Sequence, residues 1–250
     1  MIETSVLLSC YKSNIFFLRK SIKSLLNQEY KNFELIIIID GASEILSKKI
    51  YQLSKLDKRI KIIKNKFNKG LSYSLNKAFK VSKGKFIVRA DDDDFSHKNR
   101  LKKQISFLKK NKKIDIIGTN AIVNLIFKKK KFITNFPITN HEIIKSLPFY
   151  NPIIHSSVCL RKKILSKYTY DIRYKKAQDY ELWMRLKKNN ISFFNLTEPL
   201  VTVNKLKPIS FLDLKYDIKV KLNNNNFKNK LLIVLKLPIL LFQVLINNYL

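Results

Sequence analysis

The sequence predicts an α/β protein: a mostly parallel, twisted sheet with helices on both faces. Three observations carry this. Short β-branched runs alternate with helical apolar periodicity from Thr4 to Leu108, the pattern of successive βα units. The run Phe33–Ile39 (FELIIII) is nearly continuous in apolar residues, as a strand covered on both faces must be. Four consecutive aspartates, Asp91 to Asp94, separate the apolar run Phe86-Ile87-Val88 from a helical pattern. They therefore lie at the carboxyl end of a strand, where open α/β sheets bind ligands.

Each element has its own signal. Thr4–Ser9 is a short buried-strand pattern, and Ser13 or Asn14 can cap the helix that follows. Phe17, Leu18, Ile22, Leu25 and Leu26 form that helix's apolar face. The second strand ends on Asp40-Gly41, a helix follows over Glu44–Leu56, and Ile60–Ile63 is the third strand. Asn68-Lys69-Gly70 is a turn before a helix over Leu71–Val81. After the aspartates, Leu101, Gln104, Ile105 and Leu108 share one helix face.

Beyond that helix the pattern changes. Ile114–Gly118 and Ala121–Phe127 are expected as strands, Lys128–Lys131 as a basic turn and Phe132–Asn135 as a return strand. His141–Leu147 is a short helix, and Asn151–Ser157 is a loop entering the strand Val158–Leu160. A helix opens at Ala177 with Leu182, Trp183 and Leu186 on one face, and Ile191–Phe194 and Leu200–Val203 are late strands. Asn223–Asn226 reads as a low-complexity hinge. Leu231–Leu250 is strongly apolar, but Lys236, Pro238 and Gln243 interrupt the clean run a bilayer span needs. Asn229, Lys236, Gln243 and Asn247 make a narrow polar stripe on such a helix. Apolar face plus lysines suits a helix lying in an anionic membrane interface. Docking on the chain's own core, or on a second copy, explains the same pattern.

Composition bounds the function. The 250 residues suit one sizeable domain, and 46% hydrophobic with 12% aromatic residues is enough for a real core. Fifty Lys and Arg against 18 Asp and Glu give a net charge of +32. Such a charge attracts nucleic acid, anionic headgroups or phosphorylated substrates. A coding bias that spreads lysine over the surface accounts for it equally, since Asn and Ile are also abundant and glycine numbers only 4. Cys10 and Cys159 offer neither a disulfide framework nor metal-ligand spacing. No basic region precedes the short first apolar run, so the reading is cytoplasmic.

Four adjacent carboxylates repel one another, and a turn does not require them. In so basic a chain they suit a hard divalent cation, which takes oxygen ligands and bridges to phosphate. A solvated acidic turn fits the spacing as well. Arg89 and Arg100 flank the cluster and are expected to pair with it. Asp179, at a helix start, suits a helix cap. Trp183 suits the core better than a sugar-stacking platform, and His155 contacts substrate or is structural.

Several stretches, in order, resemble glycosyltransferase family 2 of the GT-A, Rossmann-like type, over about residues 3 to 205. SVLLSCYKSN…SLLNQ resembles the first strand and helix, and IIIIDGAS the V-D-D-G-S motif. NKGLSYSLNKAF resembles N-x-G-x-x-x-x-x-N, and FIVRADDDDFSHKNRLKKQ resembles R-x-D-x-D-D followed by R-L-x-x-Q. NPIIHSSVCLRK resembles a segment of bacterial surface-polysaccharide members, including amylovoran-type transferases. AQDYELWMRL resembles E-D-x-x-L-W-x-R-L.

The resemblance implies an inverting, metal-dependent transfer from a nucleotide-sugar to a hydroxyl of a lipid-linked saccharide. Residues 1–112 would bind the donor and 113–210 the acceptor, with 211–250 a basic and apolar tail that associates peripherally with the cytoplasmic face of a membrane. Asp40 would contact the base, and Asn68, Gly70, Arg89 and Asp91 complete the donor set. Asp91 and Asp93 would hold Mg²⁺ or Mn²⁺, assisted by Asp94. Asp179 matches the catalytic base, with His155, Trp183 and Gln178 on the acceptor side. Gln178 departs from the family's usual Glu. Two other classes compete: a polyanion or nucleic-acid binder, against which the scattered lysines and acid cluster argue, and a catalytically silent GT-A relative acting as a membrane or polyanion-binding scaffold.

Overall fold

A computed structural model describes residues 1–227 and 229–235. The chain runs β1 (Thr4–Cys10), α1 (Ile15–Leu26), β2 (Phe33–Asp40), α2 (Glu44–Ser54), β3 (Ile60–Asn65), α3 (Leu71–Val81), β4 (Phe86–Ala90), β5 (Phe95–Ser96) and α4 (Arg100–Lys110). It continues with β6 (Ile116–Leu125), β7 (Lys130–Ile133), α5 (Asn140–Ser146), β8 (Cys159–Arg161), α6 (Lys162–Lys167), α7 (Gln178–Lys187), β9 (Phe193–Lys205) and α8 (Phe211–Asn224). The strands form one sheet in the order β3-β2-β1-β4-β8-β6-β9-β5, with β7 paired to β6.

The first four long strands are parallel, with Leu8 beside Ile37 and Ala90. β1, β2 and β3 are wound one way and β4 lies on the other side of β1. The order of strand addition therefore reverses between β1 and β4, and the crevice there is the ligand position of an open sheet. The period of two along each strand feeds two cores. Leu35, Ile37 and Ile39 pack with α1, α2 and α4, while Ile36 and Ile38 pack with α3 and the later helices. Helices thus cover both faces.

The sheet is mixed rather than mostly parallel. β8 runs antiparallel to both β4 and β6, and β7 and β5 also pair antiparallel. The cause is the loss of long crossover helices after α4, since parallel neighbours need one. Two expected breaks are continuous strands. Ile114–Gly118 and Ala121–Phe127 merge into β6, and the two late strands merge into β9. Their pairing shifts register at Thr119–Asn120, opposite Pro199. A bulge there tolerates the proline and the polar pair, which looks like a loop in sequence.

The asparagine run is half helix and half break: Asn225 and Asn226 interrupt the helical backbone. Asn223 and Asn224 belong to α8, which opens with a Ser210–Asp213 capping box and buries Val220. Asn225 Nδ2 donates to the carbonyls of Pro148 (3.0 Å) and Lys221 (2.9 Å), tying the helix end to the body. Helical backbone resumes over 229–235. Most of the apolar tail, at 236–250, lies outside the described residues. Among the described residues no helix is long and apolar enough to cross a membrane.

Candidate functional site

The carboxyl ends of β1, β2, β3 and β4 meet at one edge of the sheet. Asp40 ends β2 and is buried, 2% exposed. Its Oδ1 accepts from Asn65 Nδ2 (2.8 Å) and Lys69 N (2.9 Å), and its Oδ2 from Gly70 N (2.9 Å). The carboxylate therefore holds the loop before α3, accepting three of the roughly four hydrogen bonds it can take. Its work is to fix Asn68 and Gly70 in place. Gly41 makes this close packing possible: it has φ +67°, and a Cβ there would lie 2.2 Å from Asn68 N. Asn65 was not singled out from sequence, yet it joins Asp40 to Ser74 Oγ (2.9 Å) and accepts from Lys77 (2.8 Å). Its signal is a polar residue closing an otherwise apolar strand.

The four aspartates leave β4 in different directions. Arg89 is buried in the strand; its guanidinium donates to the carbonyl of Ala90 and to Asp91, and its Nε has no partner among the described residues. Burial raises the Asp91 carboxyl, but Arg89, His155 and Lys205 outweigh it and hold it below the usual range. Asp92 accepts from Ser13 Oγ across the β1–β4 crevice, and Ser21 Oγ donates to the carbonyl of Asp91 (2.8 Å). Asp94 accepts from Ser156 Oγ and from Asn204 N (3.0 Å). The Asp93 carboxylate accepts no hydrogen bond from any other described residue, while its carbonyl holds Asn204 Nδ2 (2.6 Å). Burial, then repulsion from Asp91, pushes Asp93 up to about 7 and Asp94 to about 8.

Arg100 differs from expectation. It is buried and makes no ion pair among the described residues. Its guanidinium binds the Arg89 carbonyl (2.8 Å), Ser96 Oγ (2.9 Å) and Gln104 Oε1 (3.1 Å), so it braces the strand beneath the acids. Burial lowers it to about 10.

Asp179 lies in the first turn of α7. It does not cap the helix: Ala177 is the N-cap, in the left-handed region at φ 52°. Gln178, Tyr180 and Glu181 are buried, leaving Asp179 as the first-turn side chain that reaches solvent. Asn151 Nδ2 donates to its Oδ2 at 2.8 Å. Gln178 and Trp183 point into the protein. Trp183 is 0% exposed and packs edge-on to Phe193, with ring centroids 6.3 Å apart, so it is core and not a sugar platform. The buried position of Gln178 disfavours a charge there, which accounts physically for the departure from Glu.

His155 joins the two halves. Its Nε2 lies 2.9 Å from Tyr170 Oη. Burial, then the nearby Arg89, lowers His155 to about 4, so its ring is neutral. His155 and Tyr170 both lie within electrostatic reach of Arg89, Asp91 and Asp179. Tyr170 is held in turn by Asn76, whose amide exchanges hydrogen bonds with its backbone at 2.8 and 3.0 Å. The geometry thus brings together Arg89, Asp91, His155 and Asp179, with Asp40, Asn68 and Gly70 forming a separate loop cluster.

The acid cluster can take a cation of one kind. Among the described residues no three His, Cys, Asp or Glu side chains converge as a metal cage. Asp91 and the unpartnered Asp93 supply two hard oxygen donors, which fits a small cation that shares its coordination with substrate phosphates.

Residues 5–169 match the family described as Glycosyl transferase family 2. An uncharacterized glycosyltransferase of Haemophilus influenzae is 31% identical over 74% of this chain, which spans 60% of that relative's length. The O-antigen biosynthesis glycosyltransferase WbnJ of Escherichia coli is 35% identical over 72% of the chain and 71% of its own length. The Escherichia coli UDP-Glc:alpha-D-GlcNAc-diphosphoundecaprenol beta-1,3-glucosyltransferase WfgD is 32% identical over 76% of each. The fold is shared with S. aureus TarS 1-349 in complex with UDP-GlcNAc (TM-score 0.68, 16% identity, 90% of this chain and 68% of that one).

Proposed function

The chain belongs to glycosyl transferase family 2, and from that premise we propose that it moves a sugar from a nucleotide-sugar donor to a hydroxyl of a lipid-linked saccharide. The product would be a bacterial surface polysaccharide, supported by the O-antigen biosynthesis in the name of WbnJ, and the diphosphoundecaprenol in the name of WfgD supports the lipid-linked acceptor. The observation that carries the reading is that Asp91 and Asp179 both act electrostatically on His155 and Tyr170, which lie 2.9 Å apart from Nε2 to Oη.

Residues 1–112 would hold the donor and 113–210 the acceptor. The nucleoside would lie over the loop fixed by Asp40, against Asn68 and Gly70. The diphosphate would lie toward Arg89 and Asp91. Asp91 and Asp93 would hold Mg²⁺ or Mn²⁺, which stabilises charge on a diphosphate leaving group. Asp179 accepts the proton of the acceptor hydroxyl as its oxygen attacks the anomeric carbon. The bond to the diphosphate breaks on the opposite side, and the anomeric centre inverts. Asn151 keeps the Asp179 carboxylate turned toward the attacking hydroxyl. Peripheral association with the cytoplasmic face of a membrane, through the C-terminal residues, would bring the chain to a lipid-linked acceptor.

A thermal-shift screen tests this. Protein is melted with UDP, GDP, CMP or dTDP and their sugars, with and without Mn²⁺. Stabilisation by one nucleotide only in the presence of metal is expected. A folded protein that responds to none of them would overturn the donor site and favour a silent scaffold.

A further inference from the structure

Two neighbouring helices present the same outward pattern. α1 exposes Phe16, Arg19, Lys20 and Lys23, at i, i+3, i+4 and i+7. α2 exposes Ile45, Lys48, Lys49 and Gln52 at the same spacing, followed by exposed Leu56. Each stripe opens with an apolar side chain and continues with cations. Between the stripes lies a groove of about 620 Å³, with Ile15 and Leu53 among its apolar lining. Arg19, Lys20, Lys23 and Lys49 line it, and no acid does.

The arrangement has no account within the fold. Among the described residues none of those four cations makes an ion pair; the nearby Glu44 reaches only Lys48, at 3.9 Å. Like charges at i and i+4, as Arg19 and Lys23 are, cost helix stability. Phe16, Ile45 and Leu56 are 57%, 70% and 67% exposed. Lysines spread by coding bias would not collect around exposed apolar side chains. Lys20 Nζ lies 4.1 Å from the Phe16 ring centroid, so charge and apolar surface act at one place.

We propose that the α1–α2 face docks on the surface of an anionic phospholipid bilayer. Phe16, Ile45 and Leu56 enter the headgroup layer, and Arg19, Lys20, Lys23 and Lys49 meet the lipid phosphates. Charge complementarity selects the occupant as anionic, and the interleaved apolar side chains select an interface over a soluble polyanion. The face lies beside the site: Ser13, which binds Asp92, sits two residues before α1 begins. Docking here holds the β1–β4 crevice next to the lipid surface. This deepens the membrane part of the proposed function, and it is tested without any transfer reaction, so the two fail separately.

The experiment is sedimentation of the full chain with phosphatidylglycerol–phosphatidylcholine vesicles and with phosphatidylcholine alone. Wild type binds only the anionic vesicles. Lys20→Glu/Lys23→Glu/Lys49→Glu weakens partitioning by at least a hundred-fold, at about five-fold for each lysine lost and more for the negative charges gained. Lys129→Glu/Lys130→Glu/Lys131→Glu carries the same charge change on the β6–β7 turn and leaves partitioning within a few-fold. Phe16→Ser/Leu56→Ser lowers it roughly tenfold and leaves a stronger salt dependence. All eight substituted positions are exposed lysines or exposed apolar residues, and melting curves confirm folding. Equal losses in the two triple variants, or no loss in the first, overturn the proposal. So does binding to neutral vesicles that matches the anionic ones, or a groove variant that loses binding to single-stranded RNA alone.

Discussion

Asn151 holds Asp179 by a hydrogen bond whose direction is fixed at both ends. Asn151 Nδ2 donates to Asp179 Oδ2 at 2.8 Å, while Asn151 Oδ1 accepts from Ile153 N at 3.2 Å. The backbone contact occupies the amide oxygen, so the NH₂ group faces the carboxylate. The loop before β8 therefore orients the one first-turn side chain of α7 that reaches solvent.

Removing this contact should be felt in turnover more than in donor binding. A misplacement of about 1 Å in a reacting group costs up to a hundred-fold. Asn151→Ala is expected to lower kcat roughly ten- to a hundred-fold with donor KM little changed. Asn151→Asp should be worse, because it sets a second carboxylate against the first. A matching rise in donor KM would show that Asn151 only supports the fold.

Asp179→Asn tests the base itself. It keeps the shape and the contact distance but cannot accept the proton. Loss of a general base typically costs 10²- to 10⁴-fold. Transfer is expected to fall by about that factor while nucleotide-dependent stabilisation survives. Turnover within a few-fold of wild type removes Asp179 as the base.

The acid cluster makes stability depend on pH. In the folded, metal-free protein Asp93 titrates at about 7 and Asp94 at about 8, both raised first by burial. The unfolded chain releases these protons near pH 4. Between those limits the folded state binds more protons, so stability is full below about pH 4 and falls as pH rises toward 8. The slope reaches about 1 kcal/mol per pH unit for each group. Melting in a chelator should show a falling midpoint from pH 5 to pH 8, and Asp93→Asn should flatten it. Mn²⁺ added at pH 8 should restore the midpoint; a curve flat with pH in wild type contradicts the raised carboxyls.

Much of this was legible in the sequence. Phe33–Asp40 is apolar enough to identify a covered strand, and Leu71–Val81 shows its helical face without help from tertiary structure. Asp91 to Asp94 stand out as an acid run behind an apolar strand, and Asp179 through the resemblance of AQDYELWMRL to the family motif. The long strands β6 and β9 were not legible, since Asn120 and Pro199 look like loop residues until paired across a bulge. Nor were Asn151, Tyr170 and Asn204, whose roles depend on partners 28, 15 and 110 residues away. Local pattern reports which face of an element is buried, whereas a side chain's partner across the sheet is set by topology. That same limit hid the inward turn of Gln178 and the hydrogen bonds of Asp40 to its own loop, whereas the core position of Trp183 was readable from its place beside Leu182 and Leu186 on one helix face.

Gly41 is expected to be intolerant of any side chain. Its φ of +67° is costly for other residues, and a Cβ would meet backbone atoms of Phe67 and Asn68 at 2.5 and 2.2 Å. Gly41→Ala should therefore destabilise by about 2 kcal/mol or more. The damage should extend to nucleotide binding, because the displaced loop carries Asn68 and Gly70. A melting curve that overlays wild type would mean that the loop relaxes freely.

Gln178→Glu restores the residue many family members carry, and it should not help here. The site is 8% exposed, and Gln178 Oε1 already lacks a hydrogen-bond donor. A carboxylate placed there is desolvated with no cation set against it, and Asp179 adjoins it. Burying an unpaired polar group costs about 1–3 kcal/mol, and an ionised one costs more. The variant should melt below wild type at pH 8 and recover much of the difference at pH 5, where the new carboxyl is neutral. The sign follows from its folded-state pKa being raised above the unfolded value: stability is kept at acid pH and lost as the group ionises. Equal melting at both pH values would show that the first turn of α7 opens to admit water, and the case for Asp179 as the lone solvent-facing acid would go with it.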